Sequence, residues 1–163
     1  MIAMGGNSLS QKGEAGEIKQ QFAHTNDALE GISEFISRDY NICINHGNGP
    51  QVGNELLRMN LTYKKIPPLP LGICVAATQG TIGYMIQQSL QNKLRDMNIN
   101  REVVTLVTQV IVDPKDPGLI KPKKFVGPRY TKEKANELSK LFDWKIREQE
   151  PNKWRRVVPS PMP

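Results

Sequence analysis

Two glycine-dense stretches carry the positions best suited to chemistry. His46-Gly47-Asn48-Gly49-Pro50-Gln51-Val52-Gly53 follows an apolar run over residues 40–45, and Gly5-Gly6-Asn7 follows Met1-Ile2-Ala3-Met4. A glycine loop that leaves a strand and opens a helix offers bare backbone N–H groups to an anion. Two such loops on successive strands would hold two negative groups side by side, which suits phosphoryl transfer. Asn7 would add a side-chain amide to a phosphoryl oxygen. Lys121, Lys123 and Lys124 stand on a proline-flanked stretch ahead of Phe125-Val126-Gly127-Pro128. An ammonium group brought to a transferring phosphoryl lowers the barrier by neutralising its equatorial oxygens. Arg129, Arg155 and Arg156 are further cations that spacing alone does not rank.

Each feature also has a plainer reading. The glycines at 47, 49 and 53 miss the dinucleotide fingerprint, and no Walker A sequence occurs. The loop at 46–53 is equally the form of a tight strand-to-helix turn, with Pro50 pre-setting the first helical turn. His46 alone reads as a turn residue, the lysines as solvated surface, and Thr78-Gln79-Gly80-Thr81-Ile82-Gly83-Tyr84 as close helix packing.

The elements that would position these residues follow from periodicity. Ile18, Phe22, Leu29, Ile32, Phe35 and Ile36 recur at helical spacing between charged residues, predicting an amphipathic helix on one face of a sheet. It separates two strands, and right-handed crossover makes those strands parallel. A shorter helix is expected over 51–60, a stiff connector at Ile66-Pro67-Pro68-Leu69-Pro70, and a long helix over 73–97. Gly80 and Gly83 weaken that helix by roughly 1 kcal/mol each, which suggests close approach of backbone or ligand. The β-branched run 103–112 reads as a buried central strand. Beyond Asp113 a helix over 131–142 and two short strands, 144–147 and 154–158, are expected around a turn at Glu150-Pro151-Asn152.

Composition narrows the class. With 163 residues, 38% hydrophobic and 23% charged, the chain suits about one globular domain. No stretch approaches the ~20 apolar residues of a membrane helix, and no basic-then-apolar leader pattern is visible. Cys43 and Cys74 give no disulfide framework, so a reducing cytoplasm is expected. Residues 1–112 balance nine Lys/Arg against nine Asp/Glu, whereas 113–163 hold thirteen against seven and so carry the whole net charge of +6. Scattered basic residues and 6% aromatics favour a phosphate-bearing small molecule over nucleic acid as partner.

Taken together the motifs resemble carbamate kinase, of the amino-acid kinase superfamily. The resemblance rests on Ala3–Asn7, the block 46–54, Pro68-Leu69-Pro70-Leu71, the 78–84 segment, Thr108-Gln109-Val110-Ile111-Val112-Asp113-Pro114, 124–128, and Trp154-Arg155-Arg156-Val157-Val158-Pro159-Ser160-Pro161. It implies an α/β fold, a three-layer αβα sandwich around a mainly parallel sheet with a small protruding subdomain. Residues 1–112 would form the core carrying both glycine loops, 113–158 the subdomain and 159–163 a return segment. The implied reaction moves a phosphoryl group between ATP and carbamate with Mg²⁺, running in arginine fermentation as carbamoyl phosphate plus ADP to ATP. Carried over by motif, Gly5, Gly6 and Asn7 would hold the phosphoryl group, Gly47, Asn48 and Gly49 the carbamate end, and Lys124 would stabilise the transition state. No residue of this chain is assigned to a metal.

The resemblance covers the family's N-terminal half, without the half that carries the nucleotide pocket. It implies little or no activity for this chain alone and a homodimer for a full-length protein. Alternatives are another amino-acid kinase acting on a carboxylate, and a non-catalytic remnant that binds phosphate-bearing metabolites or pairs with a complementary half. Gly72 stands where the family usually has Asp, Lys123 where it has Thr, and Phe125 where it has Pro.

Overall fold

Half of the stripe that predicts the first long helix is buried: Leu29, Ile32 and Ile36 are, whereas Ile18 and Phe35 are about half exposed. In the computed structural model, which describes residues 1–11 and 13–163 with the side chain of Asn7 left aside, α2 spans Ile18–Ser37 and buries Gln21, Thr25, Leu29, Ile32 and Ile36. A capping box starts it: Glu17 accepts from the amide of Gln20, and Gln20 Oε1 takes the Glu17 amide at 2.9 Å. β1 (Ile2–Met4) and the brief α1 (Gly6–Leu9) precede it, and β2 (Ile44–His46) follows. β1 and β2 pair in parallel, with Ile2 opposite Ile44 and Met4 opposite His46, as a right-handed crossover requires. α3 (Gly49–Thr62) then leads to the connector, and α4 (Leu71–Asp96) is the long helix.

The chain divides into two compact units. The first comprises Met1–Gln51 and Pro70–Val107, the second Val52–Leu69 and Thr108–Pro163, so α3 contributes to both.

In the first unit α4 packs on α2 and on the two-stranded sheet. Met4, Leu9, Ile82, Met85 and Ile86 form one buried cluster, with Phe22, Ala28 and Ile44 against it. Leu29, Ile32, Ile36, Leu90 and Leu94 form another, joined by Ile2, Ile42, Ile99 and Val103. Burying a Leu or Ile side chain is worth about 1.5–3 kcal/mol, so these clusters hold a sheet whose strands are only three residues long.

One expectation fails here. Residues 103–112 form no strand and are not a buried one: Val104 and Leu106 are each 75% exposed and Ile111 is 92% exposed. β-propensity describes a fit to a pleated surface, and the run needs neighbours to become a strand. Cys43, expected on a strand, lies just before β2 and is exposed.

The second unit is an antiparallel sheet with helices. β3 (Lys124–Tyr130), β4 (Ile146–Glu150) and β5 (Lys153–Val158) are ordered β3-β5-β4. The β4–β5 turn falls at Pro151-Asn152 as expected, with Asn152 left-handed at φ 61°. Ala135 and Leu138 are the buried residues of α6 (Lys132–Phe142), and a short α5 (Pro117–Ile120) is capped by Asp116. Lys124, expected on a loop, opens β3 instead. Pro128 and Gly127 (φ +75°) sit where β3 slips against β5, an irregularity that accommodates a proline within a strand.

Candidate functional site

Both glycine loops belong to the first unit and leave the carboxyl ends of its parallel strands, where open α/β sheets take their ligands. They touch backbone to backbone. A Cβ added to Gly47 would stand 3.0 Å from the Gly6 amide nitrogen, and one added to Gly6 would stand 3.1 Å from Pro50 Cδ and 3.3 Å from the Asn48 nitrogen. A side chain at either glycine would be tight, and the neighbouring loop would have to give by a few tenths of an ångström.

The donors divide into those already used and those that are not. The Gly47 amide donates to the Met4 carbonyl at 2.9 Å and is thus already engaged. The first turn of α3, opening at Gly49, presents amides that have no intrahelical acceptor. Asn48 is held by its side chain: Nδ2 donates to Thr78 Oγ1 at 3.0 Å, and that hydroxyl donates to the Val75 carbonyl at 2.8 Å. Thr78 is 3% exposed, so this bond is sheltered and fixes the Asn48 side chain. Gln51 Nε2 donates to Gln21 Oε1 at 3.1 Å, and Gln21 Nε2 to the Gly16 carbonyl at 2.8 Å. Gln51 Oε1 is buried with no partner.

The structure therefore brings Gly5, Gly6, Gly47, Asn48 and Gly49 into one loop cluster. The side chain of Asn7 lies outside the described residues. Lys124 belongs to the second unit, where it pairs with Val158 in the register and its side chain is exposed. His46 sets its Nδ1 3.3 Å from the neighbouring Gly47 carbonyl oxygen, a local contact.

Around Lys124 the second unit places groups that spacing could not rank. Arg155 donates through Nη2 to the Gly127 carbonyl at 2.6 Å and through Nη1 to Gln149 Oε1 at 3.1 Å. Its guanidinium lies 6.0 Å and that of Arg147 4.8 Å from the Phe125 ring centre. Burial, with Arg129 nearby, lowers the Arg155 pKa from its ordinary value. Arg156 stacks instead on Trp144, 4.6 Å from the ring centre. Thr78 and Arg155 are the positions that sequence reasoning left among packing residues and unranked cations; the pairing of Thr78 with Asn48 spans 30 residues and leaves no local signal.

The donor set favours anions. Among the described residues no group of three His, Cys, Asp or Glu side chains could hold a metal ion. Amide donors do not fit a divalent cation, which takes oxygen ligands.

Comparison with known proteins agrees with this cluster of motifs. No family model matches the chain. The carbamate kinase of Pyrococcus horikoshii is 46% identical over 165 residues, covering all of this chain and 52% of that protein. Carbamate kinase 2 of Enterococcus faecalis is 43% identical over 164 residues with the same coverage. This chain is a carbamate kinase homologue over about half of that protein's length. The span is consistent with the N-terminal half. A solved Giardia lamblia carbamate kinase bound to AMP-PNP superposes with a TM-score of 0.87 at 38% identity, over 98% of this chain and 51% of that one. The fold is thereby the α/β amino-acid kinase fold with a parallel sheet. No helix among the described residues is long and apolar enough to cross a membrane.

Proposed function

We propose that the chain supplies the phosphoryl- and carbamate-binding half of a carbamate kinase, with the three-layer sandwich and protruding subdomain of that family. Gly5, Gly6 and Asn7 are assigned the transferring phosphoryl group. Asn48 and Gly49 are assigned the carbamate end through α3's first amides, with Gly47 allowing the loops to meet. Lys124 is assigned the neutralisation of charge in the transition state. ATP and ADP are the proposed nucleotides. AMP-PNP in the Giardia lamblia relative supports a nucleoside triphosphate at the corresponding fold. Mg²⁺ would accompany the nucleotide, and no step is assigned to it because this chain's described residues offer it no cage.

The observation that carries the reading is the backbone contact of Gly47 with Gly6 beyond parallel strands. Two loops held that close suit two adjacent acidic groups, such as carbamate beside a transferring phosphoryl group, better than a single charge. A cytoplasmic enzyme of arginine fermentation, dimeric at full length, is the proposed setting.

The chain spans about half the length of the curated relatives it matches, and the proposed reaction draws on both halves. ATP formation from carbamoyl phosphate and ADP by the 163-residue chain is expected to fall far below ordinary kinase turnover of ~1–100 s⁻¹. Isothermal titration should nonetheless detect carbamoyl phosphate, with binding weakened by Asn48→Ala. Turnover in the ordinary range, or titration indifferent to Asn48, would overturn the reading.

A further inference from the structure

Both amide side chains at the start of α3 hydrogen-bond to other helices rather than to their own. An asparagine just ahead of a helix ordinarily caps it, its Oδ1 accepting from an amide of the first turn. Asn48 instead gives Nδ2 to Thr78 Oγ1 on α4, within the same unit, at 3.0 Å. Its Oδ1 has no hydrogen-bond partner among the described residues. Gln51, three positions on, repeats the pattern: Nε2 donates to Gln21 Oε1 on α2, and Oε1 is buried with no partner. The start of α3 thus carries two amide oxygens without a donor among the described residues.

Thr78 decides which atom of Asn48 is left over. Its hydroxyl lies 2.8 Å from the Val75 carbonyl oxygen, which can only accept. A hydroxyl carries one hydrogen, so toward Asn48 it accepts, and Nδ2 is the atom able to supply that bond. Thr78 is buried, so water does not compete for either bond. Oδ1 therefore stands on the other side of the same planar amide. Asn48 is half-buried, and its backbone nitrogen borders Gly6 of the facing loop.

The free main-chain groups at the head of α3 are N–H donors, which suit the oxygens of a substrate. A carbamate differs from a carboxylate of the same shape by its amino group, which is itself a donor and gains nothing from such amides. It needs an acceptor. We propose that Asn48 Oδ1 accepts from the substrate's amino group, and that Thr78 is the positioning residue that keeps this oxygen, rather than Nδ2, free for it. The pair would then select carbamate over carboxylates. The inference rests on the proposed carbamate reading and names what sets that substrate apart within it. A site built to hydrogen-bond an N–H rejects the analogue lacking it, because the acceptor is left unpaired.

Acetyl phosphate is the probe, since it carries a methyl group where carbamoyl phosphate has the amino group. Isothermal titration of the 163-residue chain should give carbamoyl phosphate at least ~10-fold tighter binding than acetyl phosphate. Thr78→Val removes the hydroxyl at similar volume and releases the Asn48 amide. It should bring the two ligands within ~2-fold of each other by weakening carbamoyl phosphate alone. Thr78→Ser keeps the hydroxyl and should keep the preference. Equal weakening of both ligands in Thr78→Val would mark a structural role and overturn the proposal. So would a preference unchanged in Thr78→Val or lost in Thr78→Ser. The wild-type comparison decides even if Thr78→Val does not fold: equal binding of the two ligands would overturn the proposal and leave the functional reading standing. Binding of neither ligand would overturn that reading, and the proposal with it.

Discussion

The glycine loops of the first unit and the sheet of the second are held by different parts of the chain. In the first, backbone meets backbone: Gly6 and Gly47 approach so closely that a side chain on either would press on the facing loop. In the second, side chains span the sheet. Arg155 reaches the Gly127 carbonyl, Asn60 Nδ2 donates to Tyr130 Oη at 2.6 Å, and Phe142 stacks on Trp144 and meets Tyr63 edge-on. A backbone contact adjusts only by moving the chain itself. A side-chain contact has rotamers with which to relax and water with which to compensate. Disturbing the glycine contact should therefore cost more than disturbing any single polar contact of the second unit.

The sharpest way to break that comparison is Gly47→Ala. Its new methyl would meet the Gly6 nitrogen at 3.0 Å, so the facing backbone must give by a few tenths of an ångström. Overpacking of this kind costs about 1–3 kcal/mol. Gly49→Ala meets nothing within 4 Å and should change stability by no more than ~0.5 kcal/mol. Urea denaturation of both variants decides the matter, and equal midpoints would remove the distinction between the two glycines.

The same contrast explains what could be read from residues alone. The glycine loops were legible because the requirement is a residue type, written locally at 5–6 and 47–49. Helices α2, α4 and α6 were legible because a 3.6-residue period records which face is buried. The run 103–112 misled because its composition records a place in a sheet, whereas pairing depends on partners, and β1 is three residues long. β3 was hidden behind Pro122 and Pro128, which read as loop until the bulge at Gly127 is seen to accommodate a proline. Arg155 could not be singled out from Arg129 and Arg156, because its role exists only once β5 lies beside β3 and β4. Asn48 was legible as a loop residue and Thr78 as a packing residue; their hydrogen bond joins segments that share no local pattern.

A second, smaller effect tests the side-chain half of the comparison. Burial raises the Tyr130 pKa above its ordinary value, against the opposing hydrogen bond from Asn60 and the nearby Arg156 charge. The folded state then holds the phenolic proton more tightly than the unfolded chain does. The resulting stability is fully present below the unfolded pKa of about 10 and is lost as pH rises through the folded value. Tyr130→Phe should remove this alkaline slope while costing about 0.5–1.5 kcal/mol at neutral pH for the lost hydrogen bond. Denaturation across alkaline pH, with ultraviolet titration of the phenolate, checks both. An unchanged slope in the variant would mean that Tyr130 is not the group responsible.

The smallest effect is expected at Glu150, on the exposed end of β4. It accepts from Lys153 Nζ at 2.7 Å and from Arg129 Nη2 at 2.7 Å. The Lys153 hydrogen bond, aided by Arg129, holds its carboxyl below the usual carboxylate range. Its contribution is present above the unfolded pKa of about 4 and is lost as pH falls through the folded value. Because the site is open to solvent, salt screens the pair and the side chains lose freedom in holding it. Glu150→Gln should flatten the acid limb slightly at low ionic strength and change nothing measurable in high salt. The NMR titration of the Glu150 carboxyl, set beside denaturation at two salt concentrations, reads both the direction of the shift and its screening. A loss at Glu150 as large as that at Gly47 would invert the ordering, since a solvated ion pair would then matter as much as a close backbone contact.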